Sequence, residues 1–227
     1  MQALSKRLSV IASLVPKGAR VCDVGTDHGY LSIYLRSSGT AQGVIASDIN
    51  EKPLKTARKN IKESQIGGIE LRLGDGLSAV NKGEIDTAVI AGMGGEVISG
   101  ILKRGKDIAK SGITLILQPT TSPEFLRKFL SENGYEILKE IPVLENRKLY
   151  SVMLCTFTGK YEKKEEYYYY IGALTADTDE GKRYIEKQYN RLFKCLTALE
   201  NVPSKRSEYL SLKEISDNLK RILEGNG

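Results

Sequence analysis

Five strand-like apolar segments alternate with amphipathic helical segments over the first 133 residues, and this alternation constrains the fold more than any other feature of the chain. The strand-like segments are residues 20–24, 44–48, 69–73, 85–91 and 113–118. The helical segments are residues 4–15, 30–36, 51–63, 96–110 and 123–133. Such alternation is typical of a parallel sheet covered by helices on both faces. The sequence therefore predicts a doubly wound α/β domain.

Two further strand-like segments follow without a helix between them. Residues 135–143 and 149–157 are joined by a short polar stretch at 145–147 that has the composition of a turn. A hairpin at this point places one antiparallel strand in an otherwise parallel sheet. We therefore expect a Rossmann-like, mostly parallel, seven-stranded sheet with one antiparallel strand.

The composition changes near residue 159, after which the chain is charged and has few β-branched residues. Apolar positions in the ranges 185–199 and 209–222 follow helical spacing and are separated by a short segment with a proline. This pattern predicts a C-terminal antiparallel helical hairpin. We divide the chain into a domain of residues 1–159 and a helical domain of residues 160–227. The four consecutive tyrosines at 167–170 indicate a packing surface for this domain, with base stacking as the alternative.

Composition excludes several classes of protein. The 227 residues contain three cysteines and one histidine, which makes a zinc site improbable, and we expect no metal. No apolar run approaches the roughly 18 residues of a membrane span, and the first residues do not resemble a signal peptide. We therefore expect a cytoplasmic protein without a membrane partner. The net charge is +6, and the lysines at 52, 55, 59 and 62 share one helix face, which could bind phosphates or be a solvated surface.

The carboxyl ends of the five predicted parallel strands are unusually rich in glycine and polar residues. Ligands of doubly wound sheets bind beyond these ends. Glycines allow sharp turns and close approach of a ligand to the backbone. We therefore predict the ligand site from the following segments: Asp23–Gly29, Asp48–Asn50, Gly74–Gly76, Ala91–Gly95 and Gln118–Pro119.

The acids at these ends favour one nucleotide cofactor over another. Asp48 lies 23 residues after Gly25, where a carboxylate can accept hydrogen bonds from a ribose diol, and Asp75 can accept one from an adenine amino group. Asp23 and Asp27 would repel the pyrophosphate of NAD but suit the cationic sulfonium and amino groups of S-adenosylmethionine. The sequence has no P-loop lysine of the kind that would indicate an ATP site. The residues predict an S-adenosylmethionine site, although a capping role for Asp48 and a turn role for Asp75 remain as alternatives.

The fourth strand end gives information about the acceptor. Methyltransferases that act on exocyclic amines often carry Asn/Asp-Pro-Pro-aromatic there, whereas this chain has the glycine-rich segment 91–95 with Met93 as its only large side chain. This difference argues against methylation of an exocyclic amine. His28 and Tyr30 adjoin the cofactor turn, and we expect them to line the acceptor slot.

Seven segments resemble the bacterial tRNA (adenine-22-N1)-methyltransferases, and together they extend in order over roughly residues 1–157. They are Leu4–Leu8, Val15–Ala19, Asp23–Leu31, Ser47–Asn50, Gly74–Leu77, Ala91–Gly95 and Leu117–Pro119. The resemblance implies transfer of a methyl group from S-adenosylmethionine to N1 of one adenine in tRNA. It also implies that the target base leaves its stack, and that a carboxylate such as Asp27 or a water takes the proton lost by the product.

We assign the candidate site residues to three groups. The cofactor group is Asp23, Gly25, Asp27, His28, Gly29, Asp48, Ile49, Asn50, Asp75, Gly76, Ala91, Gly92 and Met93. The catalytic group is Asp27, His28, Tyr30, Met93 and Gly94. The substrate group is Lys6, Arg7, Lys17, Gln118 and Pro119. The alternatives are a methyltransferase with a small-molecule or protein acceptor and a non-catalytic RNA-binding module. The sequence does not determine the oligomeric state, and we favour a monomer.

Overall fold

The computed structural model describes residues 4–225 and contains a single seven-stranded sheet in the order β3-β2-β1-β4-β5-β7-β6. The strand bounds are β1 Ala19–Val24, β2 Ala41–Asp48, β3 Ile69–Leu73, β4 Thr87–Gly94, β5 Thr114–Thr121, β6 Tyr135–Glu145 and β7 Lys148–Phe157. β7 is antiparallel to both of its neighbours, β5 and β6, whereas the pairs among β1 to β5 are parallel. The predicted Rossmann-like sheet with one antiparallel strand is confirmed.

Helices cover both faces of the sheet and continue beyond it. Their bounds are α1 Lys6–Leu14, α2 Tyr30–Ser37, α3 Glu51–Ser64, α4 Gly95–Arg104, α5 Lys106–Ala109, α6 Pro123–Glu132, α7 Glu166–Ile171, α8 Asp179–Leu199 and α9 Arg206–Leu223. α1 begins where the Ser5 hydroxyl accepts a hydrogen bond from the Leu8 amide, and Thr178 caps α8 in the same way. Within residues 4–225, no helix combines the length and the apolar character needed to cross a membrane.

Two predicted strand ends are wrong, and both lie at the edge where the ligand site was expected. β4 does not end at Ala91 and β5 does not end at Gln118, because Met93 pairs with Pro119 and Gly94 with Thr121. The register shifts on either side of Met93, which allows a proline without an amide hydrogen to remain in the strand. The predicted helix 96–110 is also interrupted at Gly105, a residue of poor helix propensity.

A hydrophobic core fills each side of the sheet. On one side, Ile98 and Leu126 of the covering helices pack on Ile90 and Leu115 of the central strands. On the other side, Ile11 of α1 and Leu35 of α2 pack with other buried apolar residues of the sheet. A third cluster, which includes Ile185, Leu192, Ile215 and Leu219, lies between α8 and α9. The predicted C-terminal helical pair is therefore present.

A buried ion pair joins the C-terminal helices to the sheet. The Arg127 Nη2 lies 2.6 Å from Oε1 of Glu140, and both side chains are 0% exposed. The Arg127 guanidinium also donates to the carbonyl oxygens of Tyr169 (2.7 Å) and Tyr170 (2.9 Å) and to the hydroxyl of Tyr184 (3.1 Å). The tyrosine run thus packs at this junction, as its apolar character indicated.

Candidate functional site

Two cavities adjoin each other at the carboxyl ends of the parallel strands, and Gly25 lines both. The α1 cavity, of about 350 Å³, is enclosed by Arg7, Leu8, Asp23, Gly25, Thr26, Asp27, His28, Gly29, Tyr30, Leu31, Ala91 and Gly92. The β2–β3 cavity, of about 440 Å³, is enclosed by Val24, Gly25, Asp48, Ile49, Gly74, Asp75, Gly76, Met93, Val97, Ile101 and Arg104. The site therefore lies at the sheet edge that the sequence predicted.

Gly25 and Met93 form the boundary between the two cavities. Gly25 has a φ of 77°, and its amide donates to the carbonyl oxygen of Ser47 at 2.8 Å. A Cβ at this position would lie 2.1 Å from the Met93 methyl carbon. The positive φ favours glycine at this position, and the flexible Met93 side chain covers the backbone of the first turn.

Asp23 is buried and holds the first turn against α2. Its Oδ2 accepts hydrogen bonds from Thr26 Oγ1 at 2.9 Å and from Ser32 Oγ at 2.7 Å. Burial raises the pKa of the Asp23 carboxyl, and the two hydrogen bonds oppose this shift. A cation in the α1 cavity, which Asp23 also lines, would favour the ionised carboxylate.

The outer wall of the α1 cavity consists of Asp27, His28 and Tyr30. Asp27 Oδ2 is 3.1 Å from His28 Nε2, and the Asp27 side chain is largely exposed. The His28 and Tyr30 rings stack with centroids 5.3 Å apart. The His28 carbonyl accepts a hydrogen bond from Asn60 Nδ2 at 2.8 Å, which fixes this turn to α3. The wall therefore offers a carboxylate and a stacked aromatic pair to the cavity.

The β2–β3 cavity combines apolar walls with carboxylates. Ile49 is 62% exposed and Val97 is 53% exposed, although both side chains are aliphatic and line the cavity. Asp48 Oδ1 accepts the Asn50 amide at 2.8 Å, while Asp48 Oδ2 has no hydrogen-bond partner within residues 4–225. Asp75 Oδ1 pairs with Arg104 at 2.9 Å. A flat base between the aliphatic side chains and a hydroxyl-rich sugar beside Asp48 would fit this cavity.

Gln118 does not contact the cavities directly, which corrects its assignment to the substrate group. The side chain is completely buried, and its Oε1 accepts hydrogen bonds from Arg7 Nη1 and, at 3.1 Å, from the Gly92 amide. Its Nε2 donates to the Pro119 carbonyl at 2.7 Å. Gln118 therefore holds Arg7 against the glycine-rich end of β4. Pro119 is buried beside it and lines neither cavity.

Arg7, which the sequence assigned to the substrate group, lies in the wall of the α1 cavity. Its Nε is 3.5 Å from Glu145 Oε2, its backbone amide donates to Glu145 Oε1 at 2.9 Å, and its guanidinium lies over the Tyr150 ring. Glu145 and Tyr150 come from the β6–β7 hairpin. Because β7 runs antiparallel, this hairpin turns at the edge of the sheet that carries the site.

Four other predicted residues lie outside both cavities. Lys17 precedes β1 and so lies at the opposite edge of the sheet, which makes its grouping with Arg7 wrong. Lys6 is exposed on α1, close in sequence to Arg7. Asn50 precedes α3, and its side chain makes no capping hydrogen bond. Gly94 pairs with Thr121 in the sheet, where a Cβ would lie 3.0 Å from the threonine hydroxyl.

Several lining residues were not predicted. They are Leu8, Leu31, Val97, Ile101 and Arg104. Val97 and Ile101 lie in the predicted helix that follows the glycine-rich end of β4, and apolar residues in the first turns of that helix were the signal that could have identified them. Glu145 and Tyr150 carried no local signal, because their role depends on the sheet order. No cluster of three or more His, Cys, Asp and Glu side chains in the described part of the chain could hold a metal ion.

Comparisons with known proteins agree with this geometry. Residues 4–153 match the family model described as a methyltransferase domain. A Bacillus subtilis tRNA (adenine(22)-N(1))-methyltransferase is 39% identical over 152 residues, which are 66% of this chain and 64% of that protein, slightly less than two thirds of its length. A Mycoplasma pneumoniae putative tRNA methyltransferase is 32% identical over 204 residues, covering 87% of this chain and 92% of that one.

A solved structure extends the similarity to the C-terminal helices. The Streptococcus pneumoniae putative tRNA (m1A22) methyltransferase, in complex with S-adenosyl-L-methionine, superposes with a TM-score of 0.84 at 29% identity. The superposition covers 97% of this chain and all of the other. The chain therefore belongs to the methyltransferase domain family and, within it, to the family of bacterial tRNA (adenine-22-N1)-methyltransferases.

Proposed function

We propose that this protein is an enzyme that transfers the methyl group of S-adenosylmethionine to N1 of an adenine in tRNA, at position 22. The observation that carries the proposal is the pair of cavities that adjoin at Gly25 and Met93, one suited to a nucleoside and the other lined by carboxylates and a stacked aromatic pair. The names of the relatives and the cofactor in the Streptococcus pneumoniae structure support it.

The β2–β3 cavity holds the nucleoside part of the cofactor. Asp48 Oδ2 would accept hydrogen bonds from ribose hydroxyls, and the exposed aliphatic side chains of Ile49 and Val97 would contact the adenine. S-adenosylmethionine, when bound, supplies an electrophilic methyl group on a sulfonium. Asp23 and Asp27 balance the positive charges of its amino-acid portion in the α1 cavity.

The acceptor enters from the side of His28 and Tyr30. N1 of a neutral adenine has a free lone pair, so the chain needs no base to activate it and contributes mainly by orientation. The stacked rings of His28 and Tyr30 hold the flipped base, and Arg7, fixed by Gln118, supplies donors at the cavity wall. The methylated ring is cationic, and in this proposal the exposed Asp27 carboxylate or a water takes the proton that it loses.

We assign different roles to the two parts of the chain. Residues 1–159 perform the methyl transfer, and the helical residues 160–227 help to hold the tRNA. We favour a monomer as the acting unit. An enzyme that acts on tRNA is expected in the cytoplasm.

The direct test is methylation of an unmodified tRNA transcript, followed by mass spectrometry of the nucleosides. We expect 1-methyladenosine, and we expect none in a matched transcript in which adenine 22 is replaced by guanine. Calorimetry with S-adenosylmethionine separates the alternatives. Binding without 1-methyladenosine on any tRNA would indicate another acceptor, and the absence of binding would indicate a non-catalytic module.

A further inference from the structure

A third concave surface continues from the α1 cavity along the groove between α2 and α3. This α2–α3 groove, of about 550 Å³, is lined by Tyr30, Ile33, Tyr34, Asn60, Glu63, Ser64 and Ile66. Tyr30 is the shared wall, because it lines both the α1 cavity and the groove. The groove therefore offers a path to a nucleic-acid strand whose target base occupies the α1 cavity.

Two tyrosines offer stacking surfaces along this route. Tyr30 is 36% exposed and Tyr34 is 38% exposed, and the two are separated by one turn of α2, about 6 Å along the helix axis. His28 stacks on Tyr30, but no aromatic contact covers Tyr34 within the described residues. Every base has a π-face, so an exposed tyrosine at this spacing suits a second base without selecting its identity.

The charge of the flanking helices fits a polyanion. α2 and α3 together contain six lysines and arginines but only two acids, Glu51 and Glu63. Lys55 pairs with Glu51 and Lys59 with Glu63. The other four, Arg36, Lys52, Arg58 and Lys62, form no ion pair within residues 4–225, although Arg36 donates to the carbonyl oxygens of Gly67 and Ala41. The lysine face that the sequence left ambiguous thus lies on the helix that borders the groove.

The groove also has hydrogen-bonding capacity. Asn60 Nδ2 donates a hydrogen bond to the His28 carbonyl oxygen, whereas Asn60 Oδ1 has no hydrogen-bond partner within the described residues. Glu63 is exposed and only distantly paired with Lys59, at 3.8 Å. These oxygens accept hydrogen bonds from base amino or ribose hydroxyl groups.

We propose that the α2–α3 groove is a subsite for the nucleotide adjacent to the methylated adenine, with its base stacked on Tyr34. The proposal rests on the proposed tRNA substrate and adds to it a residue that recognises the neighbour rather than the target. Because Tyr34 touches neither the cofactor nor the reacting base, its contribution appears in tRNA affinity and KM, whereas kcat stays unchanged.

The test is a double-mutant cycle between Tyr34→Ala and tRNAs with an abasic nucleotide on either side of adenine 22. Against intact tRNA, Tyr34→Ala should raise KM and the tRNA Kd about 5- to 30-fold, the lower part of the range for loss of one stacked base. Tyr34→Phe keeps the ring and should resemble the wild type. Phe125→Ala removes an aromatic side chain that is 49% exposed and outside the groove, and it serves as the matched control.

The cycle gives a decisive result because the two changes remove the same contact. The wild type should bind one of the two abasic tRNAs about 5- to 30-fold more weakly than it binds intact tRNA. On that abasic tRNA, Tyr34→Ala should bind as well as the wild type does, because the stacked base is already missing. Full additivity with both abasic tRNAs, or equal behaviour of Tyr34→Ala and Phe125→Ala, would overturn the subsite. Failure of the wild type to form 1-methyladenosine is a separate outcome, which contradicts the proposed function while the binding cycle still reports on Tyr34.

Discussion

Replacement of Arg127 by Met should destabilise the protein strongly without altering the cofactor site. Methionine fills much of the space of the arginine stem but removes the guanidinium that pairs with Glu140. The Glu140 carboxylate, which is completely buried, would retain only the hydrogen bond from the Ala173 amide, at 3.1 Å. The carbonyl oxygens of Tyr169 and Tyr170 would lose their guanidinium donor as well.

The magnitude follows from these losses. Breaking a buried ion pair by removal of one partner costs about 3–5 kcal/mol, because the other charge remains buried. For a chain of this length, each kcal/mol lowers the melting temperature by about 2–4 °C, so we expect a decrease of about 6–20 °C. Additional replacement of Glu140 by Leu removes the uncompensated charge, and the double variant should therefore be more stable than Arg127→Met alone.

Urea and thermal unfolding, followed by circular dichroism, measure both effects. Lys128→Met is the matched control, since Lys128 neighbours Arg127 on α6 but forms an exposed pair with Glu166, for which we expect a loss of about 0–1 kcal/mol. Calorimetry below the melting temperature should give unchanged S-adenosylmethionine affinity for all variants. The expectation fails if Arg127→Met lowers the free energy of unfolding by less than about 1 kcal/mol, or if the double variant is less stable than Arg127→Met alone.

Three further predictions concern other sites. Gln118→Met leaves Arg7 without its carboxamide acceptor and should raise KM for tRNA more than it changes S-adenosylmethionine affinity, as measured by initial rates and calorimetry. Asp48→Ala removes the acceptor for ribose hydroxyls and should weaken S-adenosylmethionine about 10- to 100-fold, the equivalent of one or two hydrogen bonds to a charged group. Hydrogen bonds from Arg72 lower the pKa of Glu84 to about 2, so Glu84 contributes stability above pH 4.5 that is lost as the pH falls toward 2, and Glu84→Gln should remove this part of the acid sensitivity.

Each of these has an opposing result. Equal losses of S-adenosylmethionine and tRNA affinity in Gln118→Met would mean that the residue supports the whole sheet edge. Unchanged cofactor affinity in Asp48→Ala would place the ribose elsewhere. Parallel stability curves for wild type and Glu84→Gln between pH 4.5 and 2 would show that Glu84 keeps its ordinary pKa when folded.

The sequence predicted the sheet and the location of the site because both depend on local patterns. Apolar periodicity defined the strands and helices, and the glycines and acids after β1, β2 and β3 lie where parallel topology requires them. Several residues of the β2–β3 cavity, including Asp48 and Gly76, were found in this way. Their assigned roles remain predictions until binding is measured.

The errors arose where a residue's role depends on partners far away in the chain. Gln118 looked like a ligand contact because it is polar and ends a strand, but its oxygen is used by Arg7, which is 111 residues away. Lys17 was grouped with Arg7 by proximity in sequence, although α1 carries the chain from one edge of the sheet to the other. The polar partners of Arg127 lie on two strands and two helices, a combination that no local pattern indicates.

The reversed direction of β7 has a consequence for how such a chain can diversify. Because β7 runs against its neighbours, the tight turn at Asn146 and Arg147 lies beside the α1 cavity instead of at the far edge. Lengthening this turn would reshape the entrance for the acceptor, whereas the first three strands and their loops would keep the same nucleoside. Insertions in this turn would alter which acceptor fits and would leave the methyl-donor cavity unchanged. The hairpin is therefore the place where we expect acceptor specificity to diverge, and where it could be engineered.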